Sequence, residues 1–328
     1  MKKLRKALRF IFRKKKKETP NYLCEMPEVV MREVLKHCDL ESIINLRKTC
    51  HTLRNFISEN KPDPPVSRLS VILFNESIMF SFHSSTSNIV YYKNGGHVEN
   101  RIKRRFKTFK KENYQQLFLN DIGYILGLKK VPLDRLVIVI EDQFENDETL
   151  QKLGVIIQNR SPRPLPVRHI RFEVFDSSHI MPILPYIDCL ERIQIVHATS
   201  CGIILDLSKI SELSQWKSAR QVEIGNFWLR SPIQVFSGFE RVFATMEVLK
   251  IEDVLAVKET FLNSPNASLF QFEFGEFDGE HKLHELFGPP MVNDGDNWKF
   301  GESDKKNRGF TLKVCSELMR FERSSFLC

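Results

Sequence analysis

The sequence predicts an α/β protein: a small N-terminal helical module followed by a long, degenerate solenoid of alternating strands and helices. Three observations predict it. Short segments that alternate apolar and polar residues recur from about residue 131 onward. A helix-like stretch separates most of them, and strands joined through such crossovers pair in parallel. Before that series begins, Pro62-Asp63-Pro64-Pro65 ends a separate helical pattern, because prolines so closely spaced cannot continue a helix.

In chain order, a basic tail comes first. Residues 1–17 hold ten of the 49 basic residues (Lys2, Lys3, Arg5, Lys6, Arg9, Arg13, Lys14, Lys15, Lys16 and Lys17) and no acid. The remainder carries 39 basic against 41 acidic residues, so the formal charge of +8 belongs to the tail. A near-neutral body argues against a surface built throughout for nucleic acid. Residues 1–20 read either as a disordered tail or as an amphipathic helix. Leu4, Leu8, Ile11 and Phe12 share one helical face, which suits an acidic membrane surface. Arg13–Lys17 equally suits an importin, and a solvated tail is the third reading.

The apolar island Leu8–Phe12 is too short for a secretory signal, and Lys follows it instead of small residues. No apolar run reaches the roughly 18 residues that span a bilayer. Seven cysteines (Cys24, Cys38, Cys50, Cys189, Cys201, Cys315, Cys328) are odd in number and contain no C-x-x-C pair. Reduced thiols and a cytoplasmic or nuclear location follow as the expectation.

Residues 24–60 form the helical module. Pro27 suits the first turn of a helix, with Val30, Val34 and Leu35 as its apolar stripe. Asp39 caps a second helix carrying Ile43, Leu46 and Cys50, and Leu53, Phe56 and Ile57 continue into a third. About 35 residues are too few for an independent core, so leftover apolar surface calls for a partner.

Residues 66–328 form the second region. Arg68–Phe74 and Met79–His83 read as strands, and Asn94-Gly95-Gly96 as a hairpin turn between Ile89–Tyr92 and His97-Val98. A basic helix is expected next, with Ile102, Phe106 and Phe109 at i, i+4, i+7 and Tyr114, Phe118, Ile122 and Ile125 continuing the stripe. The run Arg101–Lys111 contains seven Lys and Arg. It reads as a solvated helix face or as a site for an acidic partner.

The strand segments that follow begin at Leu136, Ile170, Ile193, Val222, Leu249, Phe270 and Phe310, with helices expected at Leu150–Ile157, Ile180–Leu190, Ile203–Trp216 and Val254–Leu262. Units of roughly 20–30 residues with one strand and one helix mark a leucine-rich-repeat-like solenoid. An open doubly wound sheet is the alternative, but the chain has no Gly-rich phosphate loop to favour it.

The helical module resembles an F-box. The family's opening Leu-Pro stands here as Met26-Pro27, and its aliphatic first-helix positions as Val30, Val34 and Leu35. Its Leu-Asp-Leu step is Cys38-Asp39-Leu40, followed by Ile43, Leu46, Arg47, Cys50, Leu53 and Arg54. Farther on, Gln215-Trp216-Lys217-Ser218-Ala219-Arg220 is similar to a signature of nematode F-box proteins with an FTH domain. So are Phe236–Phe239, Leu249–Asp253, Val257–Phe261, Asn94–Gly96 and Tyr114–Leu126.

The resemblance implies a substrate-recognition subunit of a Skp–cullin–F-box ubiquitin ligase. The F-box would dock the Skp adaptor on its cullin scaffold, and the repeat domain would select a protein client for degradation. The partner-binding residues it implies are Met26, Pro27, Val30, Leu35, Leu40, Ile43, Leu46, Cys50 and Leu53. An alternative is a non-degradative binding cofactor for an RNA-bound regulator, suggested by the basic run.

No enzymatic motif emerges. The chain lacks G-x-S-x-G, a P-loop and G-x-G-x-x-G. Cys38 and Cys50 fall on apolar stripes and read as core cysteines, not zinc ligands. His281-x-x-His284-Glu285 lacks the i, i+4 histidine pair of H-E-x-x-H and reads as a polar helix face. Neither a cofactor nor a metal is implied.

Overall fold

The computed structural model describes residues 25–82, 88–93, 97–100, 105–108, 113–141, 147–160, 164–199, 202–291, 296–300 and 309–323. The basic tail, the Asn94–Gly96 turn, and residues 101–104 and 109–111 of the basic run lie outside the described residues. The chain divides into two compact units at Pro64 and Pro65.

The first unit is three short helices. α1 (Glu28–Lys36) starts where the Pro27 carbonyl accepts from the Val30 and Met31 amides at 3.0 and 3.1 Å. Pro27 is thus the cap and lies just outside the first turn. α2 (Leu40–Thr49) is capped by Asp39, whose Oδ1 accepts from the Ser42 amide at 2.7 Å. α3 (His51–Asn60) ends at Lys61, which takes a left-handed φ of 42° before the prolines. Met31, Leu35, Leu40, Ile43, Leu53 and Ile57 are buried. Replacing Asp39 with Ala is expected to cost about 1 kcal/mol. Faster amide exchange confined to 40–49 would register that loss, and unchanged exchange would refute it.

The second unit is one continuous sheet whose strands run mostly in sequence order. β1 (Arg68–Leu73), β6 (Leu133–Ile140), β7 (Leu165–Val174), β9 (Arg192–His197), β11 (Gln221–Gly225), β13 (Arg241–Lys250) and β14 (Leu269–Asp278) are successive parallel neighbours. Among the described residues this order never reverses, as it would in a doubly wound sheet. Short strands β8 (Ile187–Asp188), β10 (Ile203–Leu205) and β12 (Phe227–Leu229) add local parallel pairs.

Antiparallel strands extend both ends. On the β1 side they are β2 (Ser77–Phe82), β3 (Asn88–Tyr92), β4 (His97–Asn100) and β5 (Arg105–Thr108). On the β14 side they are β17 (Leu318–Arg323), β16 (Phe310–Cys315) and β15 (Asp296–Phe300).

Alternation along the strands separates two faces. Leu136, Ile170, Ile193, Val222 and Val242 are buried on one. Onto that face pack α4 (Tyr114–Leu128), α5 (Asp147–Gln158), α6 (Ser214–Ser218), α7 (Ile251–Asn263) and several 3-10 turns. Phe118 of α4 meets Phe80 and Tyr91 at ring distances of 6.3 and 5.7 Å. Phe261 of α7 meets Phe270 and Phe310 at 5.1 and 5.2 Å. The opposite face carries half-exposed polar side chains, unlike the doubly covered parallel sheets of α/β enzymes.

Several expectations need correction. Residues 105–108 of the basic run are strand, paired antiparallel with 97–100, and the helix starts only at Tyr114. Ile180–Leu190 is not an α-helix: Pro182 and Pro185 deny it, and the chain makes 3-10 turns at Ser177–His179 and Leu184–Tyr186. Within Ile203–Trp216 the chain is a strand, then turns, with α-helix only from Ser214. At Leu249–Ile251 the strand is already ending. The Asp253 carboxylate accepts from the Lys250 amide at 3.0 Å and starts α7 at Ile251.

Candidate docking surfaces of the helical module and the repeat sheet

α1 divides its apolar residues between two faces. Met31 and Leu35 point inward at 4% and 2% exposure. Val29, Val30 and Val34 point away from them and are 76%, 45% and 37% exposed, and Met26, just before the Pro27 cap, is 36% exposed. Val30 and Val34 are one turn apart on α1 and make an exposed apolar strip, with Met26 exposed just before the helix. Solvent-exposed Val is unfavourable in aggregate, and a contiguous strip marks a contact surface more than chance exposure does.

On the repeat sheet the open face is organised by register. Arg68, Arg135, His169, Arg192, Gln221 and Arg241 are partners along one line across six parallel strands. The next outward line is Ser70, Val137, Arg171, Gln194, Glu223 and Phe243. Charges in this second line are satisfied within the face. Arg171 pairs with Glu173 at 3.0 Å, Gln194 donates to Glu223 at 2.8 Å, and Glu223 also holds Arg192 from the first line.

Two adjoining depressions open on the same face. One, of about 420 Å³, lies against Arg192, Gln221, Glu223, Arg241, Phe243 and Gln271. The other, of about 370 Å³, lies against Trp228, Thr245, Gln271, Glu273, Glu317 and Leu318. Trp228 crosses Gly275, where an added Cβ would come within 3.1 Å of the indole. Beyond them Arg230 hydrogen-bonds Glu247 and holds that carboxyl below its ordinary range.

A family model of the F-box domain matches residues 23–64, and a model of the FTH domain matches residues 137–290. The chain carries an F-box and an FTH domain. No curated protein matches it. F-box domains generally bind Skp-type adaptors in cullin complexes, and proteins with these two domains are typically non-enzymatic adaptors.

The F-box match covers α1–α3, and the FTH match runs from within β6 to Pro290. The Gln215-Trp216 signature falls inside the FTH domain and joins consecutive units. Gln215 Nε2 donates back to the Pro185 and Ile187 carbonyls at 2.9 and 3.1 Å. Trp216 Nε1 donates forward to the Val235 carbonyl at 3.0 Å.

The F-box residues singled out from sequence separate into three groups. Met26, Pro27 and Val30 are exposed, while Leu46 and Cys50 are half-buried. Leu35, Leu40, Ile43 and Leu53 are 2%, 0%, 0% and 2% exposed, which gives them a packing role and no accessible surface. Val29, beside that strip, was missed, although at 76% it is the most exposed of these apolar side chains. The i, i+4 spacing of Val30 and Val34 identifies a face but not whether that face is the inner one. The Lys and Arg residues at 2–17 lie outside the described residues.

Among the described residues no group of three or more His, Cys, Asp or Glu side chains is arranged to hold a metal ion. His284 is instead 3.6 Å from Asp296. Among the same residues no helix is long and apolar enough to cross a membrane.

Proposed function

We propose that this protein is a non-catalytic substrate-recognition adaptor of a Skp–cullin–F-box ubiquitin ligase. In this reading the F-box docks a Skp-type adaptor through Met26, Val29, Val30 and Val34. The open face of the repeat sheet holds a protein client, which is then ubiquitylated by the assembled ligase. The observation that carries the reading is the exposed apolar strip of α1. A module of three short helices leaves these side chains in water unless a partner covers them. The matched domains support the same division of labour. The basic residues at 2–17 serve as an address, read by an acidic membrane surface or an importin, and not as part of the ligase contact.

Affinity capture from cells, read by mass spectrometry, tests both parts at once. The full chain is expected to recover a Skp-type adaptor and a cullin. Removing residues 23–64 should abolish their recovery, and removing residues 1–17 should alter location alone. Undiminished adaptor recovery without 23–64 would refute the docking role. Loss of adaptor on removing 1–17 would refute the separation of address from contact.

A further inference from the structure

The line Arg68–Arg135–His169–Arg192–Gln221–Arg241 carries more positive charge than the face around it neutralises. Neighbouring strands lie about 4.8 Å apart, so the line spans roughly 24 Å. Arg68 stands directly opposite Arg135 in the parallel register. Like charges placed opposite each other are destabilising, yet among the described residues neither has an ion pair.

Arg241 has no carboxylate partner among the described residues either. Its guanidinium lies 5.7 Å from the Phe243 ring centroid, which braces it on the open face. Only Arg192 is paired directly, to Glu223, while His169 Nε2 lies 3.9 Å from Glu191. The charge sits at the edge where the parallel strands begin. It contrasts with the internally paired second line and with Glu317 in the farther depression, while Glu273 borders both depressions.

We propose that this row docks an acidic, Asp/Glu-rich segment of the client, laid in extended form across the strands. The inference rests on the reading of the open face as the client surface and specifies the client's chemistry. Charge spread over roughly 24 Å matches about seven extended residues, at about 3.4 Å each. A single phosphate would engage two neighbouring guanidinium groups and leave the rest of the row unused. A continuous phosphate backbone would meet Asp134, Glu191 and Glu240, whose carboxylates border the same edge beside Arg168 and Arg220. A segment with spaced acids avoids them. Each segment carboxylate offsets repulsion already present between neighbouring arginines, and the electrostatic contact weakens as salt rises.

The test uses the full chain and four labelled probes: a Glu-rich octapeptide, its Gln analogue, a Gln octapeptide bearing one phosphoserine, and a single-stranded RNA octamer. The Glu-rich peptide is expected to bind best and to lose affinity as salt is raised. The double substitution Arg135→Glu and Arg241→Glu should weaken it at least about tenfold. Both side chains are at least partly exposed, so the fold should survive, and retained adaptor capture checks that. Equal binding of the Gln analogue, indifference to the double substitution, or preference for the phosphopeptide or the RNA each overturns the proposal.

Client recovery from cells separates this proposal from the reading beneath it. Clients lost with Phe243→Asp but kept with the arginine double variant overturn the acidic-segment proposal alone. Clients kept with both variants overturn the open face as the client surface.

Discussion

Changing Val30 and Val34 to Asp is expected to abolish capture of a Skp-type adaptor while the F-box stays folded. The two side chains are 45% and 37% exposed and lie one turn apart on α1. Their Asp variants add no buried charge to the module, so they should cost the isolated fold little. At an interface, each would place an unpaired carboxylate against an apolar surface, and central contacts of this kind commonly carry about 2 kcal/mol or more. Together the expected loss is on the order of a hundredfold or more in affinity, with non-additivity allowed for. Circular dichroism and a thermal melt of the same preparation check the fold. Wild-type recovery of the adaptor by the double variant would overturn this strip as the docking surface.

Leu35→Ala makes the instructive contrast. Leu35 is 2% exposed, and truncating a buried Leu costs roughly 2–5 kcal/mol. A module of three short helices cannot absorb that, so the variant should lose binding by losing structure. The same holds for Leu40, Ile43 and Leu53. Reduced binding in any of them would say nothing about contact, whereas Val30 and Val34 separate contact from folding.

What the sequence showed of this architecture follows from how local each signal is. Asp39 was readable as a cap because its partner is the Ser42 amide three residues away. The parallel strands were readable because their period-two pattern lies in each strand alone, as in Val222 and Ile224 beneath Gln221 and Glu223. The basic run was misread because Ile102, Phe106 and Phe109 fit a helical period, while the strand at 105–108 exists by pairing with 97–100. The arginine row was invisible for a related reason. Arg68, Arg135, Arg192 and Arg241 are scattered over 174 residues, and only the sheet register brings them onto one line. Their row is therefore a property of the fold and not of any motif.

Trp216→Ala is expected to give the largest loss of stability of any single change in the repeat domain. The indole is 2% exposed and lies 5.1 and 6.0 Å from the Phe239 and Phe236 rings. Removing a buried Trp costs about 3–5 kcal/mol. The Val235 carbonyl would also lose its donor, adding roughly 1 kcal/mol. Against a total of about 5–15 kcal/mol for a domain, that is about a quarter of the whole or more. The position amplifies the effect. In a stack whose units touch only their neighbours, stability depends on each interface. Trp216 reaches forward to Val235, while Gln215 beside it reaches back to Pro185 and Ile187. Loss of the indole should therefore uncouple the units before it from those after it. Urea unfolding followed by circular dichroism should show a lower midpoint and a broadened transition. Trp216→Phe, which keeps a ring but loses the N–H donor, should fall between. Because the F-box is a separate compact unit, adaptor capture should persist where the repeat domain has begun to melt. An unchanged midpoint in Trp216→Ala would show that this tryptophan does not join the repeats.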